Sequence, residues 1–162
     1  MKQFLKKFKD FKLTAYIEAI TGAVAVIAAL LLMILYQTNQ TRLNPDGTPV
    51  LIPGFPGEPL MGMIFFLAGL LAIIMSIVAV YSSLPFIFKK DEKLTPNKLI
   101  PYFGAVAGGF AIIEIVFTLL MAFKEGSRHT VGLLIFAVVL LLAAAVQLLM
   151  LYPALTVRVK KD

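Results

Sequence analysis

Two acidic residues in this chain fall where lipid would surround them. Glu18 and Glu114 each lie inside a long apolar run, and an ionised group at the centre of a transmembrane helix costs about 2.5–3.5 kcal/mol on insertion scales, so each is a functional candidate. Glu18 lies roughly 9 Å of helix rise beyond Lys12, and Glu114 roughly 24 Å beyond Lys98. They belong to opposite leaflets and cannot form a carboxylate dyad. Glu114, with Thr118 one turn further along the same face, suits a proton site, a cation site, or a contact with a charge on another subunit. The plainer alternative is a carboxyl held neutral and hydrogen-bonded within a bundle. Ser76 and Gln147 each lie roughly 24 Å inward from the opposite ends of their own runs, at the depth of Glu18. The three form a polar layer if all point inward. Otherwise Glu18 snorkels toward the interface beside Lys12.

Other chemistries lack their residues. The sequence has no cysteine and a single histidine, His129, which excludes thiolate chemistry and leaves too few ligands for a metal centre. Ser127 is near His129 but has no strand-turn-helix elbow to make it a nucleophile. Asp10, Asp46, Asp91 and Asp162 all fall outside the apolar runs, so a paired intramembrane aspartate mechanism has no basis. The glycines from Gly104 to Gly109 lie within a span rather than after a strand, where a phosphate-binding loop would place them. The reading is of a non-enzyme without cofactor or metal and without nucleic-acid binding.

The elements that must position these residues are membrane helices. Of 162 residues, 60% are apolar and 15% charged, against roughly 45–50% and ~25% in soluble domains. About 20 apolar residues cross a ~30 Å hydrocarbon core, and four segments qualify, at residues 13–36, 60–84, 99–123 and 131–155. The first is too long for a cleavable signal and reads as a retained anchor. Of the fifteen cations behind the net charge of +6, only Arg42, Lys124 and Arg128 fall on one side of these spans. Basic flanks stay cytoplasmic, so both termini are expected inside, with loops 37–59 and 124–130 outside. The lysine-rich form suits a bacterial plasma membrane.

The chain also resembles itself. At an offset of 86, Lys12, Leu13, Tyr16, Ala19, Gly22, Ala25 and Ile27 match Lys98, Leu99, Tyr102, Ala105, Gly108, Ala111 and Ile113. At an offset of 71, Ile64, Phe65, Tyr81, Lys89 and Lys90 match Ile135, Phe136, Tyr152, Lys160 and Lys161. The expected fold is an all-α four-helix bundle of two tandem hairpins, 13–90 and 91–162, forming a parallel pseudo-repeat. Tyr16, Tyr81, Tyr102 and Tyr152 become interfacial anchors. Gly22, Gly104 and Gly108 offer a smooth face for helix packing.

Residues 1–12 alternate Phe4, Leu5, Phe8 and Phe11 with lysines, as a basic amphipathic helix lying on anionic lipid does. In the first loop, Asn44-Pro45-Asp46-Gly47 signals a turn between short strands near 41–43 and 48–52. Asn39-Gln40-Thr41 fits a glycosylation sequon, a pattern of low specificity. Two functions follow. The leading expectation is an accessory or stabilising subunit that binds a partner membrane protein through Glu114, the glycine face and the first loop. The alternative is a small homo-oligomeric transporter or channel in which Glu114 takes a proton or cation and the Glu18, Ser76 and Gln147 layer lines the path.

Overall fold

Lipid gives the backbone no hydrogen-bond partner, so an apolar run must close its own bonds as a helix. A computed structural model describes residues 11–39, 41–43, 46, 49–51, 58–88, 99–123 and 129–156. Within these, the apolar runs form α1 (Phe11–Asn39), α2 (Glu58–Phe88), α3 (Ile100–Ala122) and α4 (Thr130–Thr156). The shortest, α3, has 23 residues, about 35 Å at 1.5 Å per residue, which exceeds the hydrocarbon thickness. All four are long and apolar enough to cross a bilayer, and the chain is a multi-pass membrane protein. Residues 1–10 of the expected amphipathic segment lie outside the described residues.

The boundaries differ from expectation mainly in α2, which continues past residue 84 through Pro85 to Phe88. Proline gives up the bond to the carbonyl four residues back and crowds that carbonyl, but its fixed φ is helical and less than one turn of helix follows it. The Ser83 hydroxyl, two residues before Pro85, donates to the Ala79 carbonyl at 2.7 Å. At the start of α3, Pro101 occupies the first turn, where its missing N–H costs nothing. The first loop contains an antiparallel hairpin, β1 (Thr41–Leu43) and β2 (Pro49–Leu51), in the register Thr41↔Leu51, Arg42↔Val50, Leu43↔Pro49.

Cross-contacts fix how the helices run. Gly22 and Met33 of α1 meet Ser76 and Gly69 of α2 respectively, so the pair is antiparallel. Gly108 meets Ala144, and the Thr130 hydroxyl donates to the Ala122 carbonyl at 3.2 Å, so α3 and α4 are antiparallel as well. Adjacent pairs α1–α2, α2–α3, α3–α4 and α4–α1 close a ring, and α1 also reaches α3 across its short diagonal. The two ends of the bundle are called here the hairpin end, beside β1 and β2, and the terminal end.

Small residues make this closeness possible. Ala25, Ala28, Ala29, Ala72, Ala111, Ala137, Ala143 and Ala144 are buried in the core. Without a hydrophobic drive between helices in lipid, such residues let backbones approach and gain dispersion. Larger groups fill the hairpin end, where Tyr36 stacks on Phe65 with ring centroids 4.1 Å apart and meets Phe66 edge-on at 5.7 Å. The lipid-facing side is aliphatic, with Ile20, Ile27 and Ile34 in one exposed stripe along α1. Gly109 belongs to that side, and a Cβ there meets nothing within 4 Å. Gly109→Ala is therefore expected to leave thermal stability unchanged or raise it by up to about 1 kcal/mol; a clear loss would show that another surface packs on this face.

Candidate functional site

Seven buried polar side chains occur among the described residues, Thr14, Glu18, Ser76, Ser83, Glu114, Thr118 and Gln147. Glu18 and Glu114 are the ionisable ones, and both are 0% exposed. Neither Glu114 oxygen has a hydrogen-bond partner among the described residues. Its carboxyl crosses from α3 to the backbone of α2 at Gly69: a Cβ built there lies 3.0 Å from Glu114 Oε1, 3.1 Å from its Cδ and 3.1 Å from Met33 Sδ. Glycine is what makes room for the acid. The thioether beside it is at best a weak acceptor and has no proton to donate.

Thr118 does not supply the missing donor. Its hydroxyl donates back to the Glu114 backbone carbonyl at 2.9 Å, the usual bond of a helical threonine to the preceding turn. Sharing a face with Glu114 therefore does not bring the hydroxyl to the carboxyl. Sequence reading passed over Gly69 and Met33, although a signal for Gly69 existed. It lies nine residues inside the hairpin-end limit of its run at Leu60, and Glu114 lies nine inside its limit at Phe123, so both are about 13 Å deep.

At the terminal end, Glu18 turns inward rather than snorkelling. Its carboxyl abuts Gly104 across the short α1–α3 diagonal, so closely that a Cβ at 104 would overlap Oε2. One turn on, Gly22 faces α2, where its Cβ position is 3.1 Å from the Ser76 carbonyl oxygen. Gly108, one turn beyond Gly104, faces Ala144 and Leu148 of α4, the residues that bracket Gln147. Residues 18–22, 76–80, 104–108 and 144–148 thus occupy one level. Glu18, Ser76 and Gln147 enter it from three helices, each 0% exposed. The Ser76 hydroxyl, both Glu18 oxygens and both polar atoms of the Gln147 amide lack partners among the described residues.

The two levels are separate. Gly104 and Glu114 are ten residues apart on α3, about 15 Å. The core between them is apolar, with Ala25, Ala28, Ala72, Ala111 and Leu140 buried there. The glycine face is spent inside the bundle, since Gly22, Gly104 and Gly108 all meet neighbouring helices of the same chain. It and Glu114 are therefore not on the surface that a partner protein would meet. Tyr16, Tyr81 and Tyr152 are exposed, and Tyr102 is half-buried. His129 immediately precedes α4, and its carbonyl accepts the Leu133 N–H at 2.8 Å. Among the described residues, no three of His, Cys, Asp and Glu come together.

No protein-family model matches the chain, and no curated protein or solved structure matches it at a significant level.

Proposed function

We propose that the chain is a small, non-enzymatic membrane transporter that moves protons, with Glu114 as the group that takes up and releases them. The observation that carries this reading is the burial of both Glu114 oxygens without a hydrogen-bond donor among the described residues. An ionised carboxylate in such surroundings loses its hydration and gains no compensation, so in the closed bundle the group holds a proton or binds a cation. Releasing it requires water or a cation to reach the seat at Gly69, hence motion of α2 against α3. The apolar layer separating Glu114 from the Glu18 level suits gated exchange rather than an open pore.

The orientation belongs to the same proposal. The lysine-bearing flanks support cytoplasmic termini in a bacterial plasma membrane, with the hairpin end outside. The sequence matches at offsets of 86 and 71 support a tandem hairpin repeat. So does the use of Gly22 and Gly108, each of which abuts a backbone carbonyl of the next helix, at Ser76 and Ala144. Assembly as a homo-oligomer would enlarge the space available to a transport path.

The test is proton flux into vesicles holding the purified chain and an internal pH dye, under an imposed gradient. Wild type should dissipate the gradient at least tenfold faster than Glu114→Gln, which keeps the shape and removes the proton site. Equal rates for wild type and empty vesicles would reject the transporter. Equal rates for wild type and Glu114→Gln would reject Glu114.

A second reading, an accessory subunit that stabilises a partner membrane protein, is favoured by one feature: the first loop folds into the β1–β2 hairpin beside the bundle. With the glycines and Glu114 turned inward, that hairpin and the aliphatic outer surface would carry the contact. A foreign subunit co-purifying in stoichiometric amount, seen by native mass measurement, would support it.

A further inference from the structure

We propose that Glu18, Ser76 and Gln147 form a binding site for a small monovalent metal cation, chemically a sodium-like ion. The donors are the carboxylate oxygens of Glu18, the Ser76 hydroxyl and the Gln147 amide oxygen. All are hard oxygen ligands of the kind that replace water around a small hard cation. They come from α1, α2 and α4, are each 0% exposed and have no protein partner among the described residues. Three glycines set the level: Gly104 receives the Glu18 carboxyl, Gly22 lies against the Ser76 carbonyl, and Gly108 lies against the turn of α4 that carries Gln147.

Charge selects the ligand. One carboxylate is neutralised by one monovalent ion, whereas a divalent ion would leave an uncompensated positive charge buried in apolar surroundings, which is strongly disfavoured. A proton on Glu18 would neutralise the acid but supply a single donor, which can serve the serine or the glutamine oxygen and not both. A bare cation engages all three side chains at once.

This site extends the transport reading by naming a second ion, but it stands on different residues, so the two can fail separately. The full chain in detergent or nanodiscs is titrated with radioactive sodium at fixed pH, with choline chloride keeping ionic strength constant. Thermal unfolding is followed in parallel. Wild type should bind sodium saturably, be displaced by lithium but not choline, and melt higher in sodium. Glu18→Gln and Gln147→Leu should weaken binding at least tenfold and Ser76→Ala severalfold, while Glu114→Gln should bind as wild type does.

Absence of saturable sodium binding by wild type overturns the proposal whatever the variants do. It is also overturned if Ser76→Ala, the change least able to disturb folding, binds unchanged, or if Glu114→Gln alone loses the ion. Failure here alongside intact Glu114-dependent proton flux would leave the transporter standing and remove only its second ion.

Discussion

Gly104→Ala is expected to destabilise the bundle by about 1–3 kcal/mol, the usual cost of overpacking a closely fitted core, yet to cost little in a Glu18→Ala background. The new methyl group would overlap Glu18 Oε2 and lie 2.9 Å from both Cδ and Oε1. A carboxyl at a protein surface would swing away, but this one is 0% exposed. Its helix has little room to retreat toward α2 either, because α1 and α2 are so close at Gly22, one turn on, that a Cβ there would lie 3.1 Å from the Ser76 carbonyl oxygen and 2.8 Å from Val80 Cγ2. The four proteins of this double-mutant cycle, unfolded from mild detergent, should show a coupling of about 1–3 kcal/mol between sites in contact. Equal costs of Gly104→Ala in both backgrounds would mean that the Glu18 carboxyl lies elsewhere, and the terminal-end level would lose its anchor. Gly69→Ala should be milder. The atoms nearest its Cβ are the flexible ends of Glu114 and Met33, at 3.0–3.1 Å, where a shift of a few tenths of an ångström relieves the contact.

The contrast between these glycines shows what the sequence could and could not reveal. Span number and approximate limits followed from hydrocarbon length alone, because lipid makes a helix of every sufficiently long apolar run. The shared depth of Glu18, Ser76 and Gln147 was countable from the span ends, since rise per residue is constant. Which way each side chain points was not countable. The helices are apolar on all sides, so hydropathy alone does not separate lipid-facing from core-facing residues, even though the core proves richer in alanine. Ala25 is buried while Ala23 one residue-pair earlier is exposed, and no polarity pattern separates them. For the same reason the glycines read as a smooth face for helix packing without showing which helix each would meet; Gly22 meets α2, Gly104 meets α1 and Gly108 meets α4. The snorkelling alternative for Glu18 also turned on direction: a glycine opposite the side chain lets it go inward, and only packing across the diagonal shows that Gly104 is that glycine. Tyr36 makes the point again. It ends an expected span where an interfacial ring would be natural, yet it is 0% exposed and stacked on Phe65.

Glu114→Met is expected to raise stability by about 1–3 kcal/mol while abolishing proton flux. Two carboxyl oxygens without a donor forfeit the hydrogen bonds they would make in water, and a buried unsatisfied polar group costs about 1–3 kcal/mol. Methionine is close to glutamate in length, is unbranched, and adapts to irregular gaps, so it should fill the seat between Gly69 and Met33 without pushing α2 away. Thermal unfolding in detergent measures the first effect, and the vesicle assay measures the second. A gain in stability joined to a loss of flux is the signature of a residue kept for what it does rather than for what it holds together. If Glu114→Met instead unfolds at lower temperature than wild type, the carboxyl is making contacts that support the bundle. Its burial would then need no functional explanation, and the argument for proton movement would lose the observation that carries it.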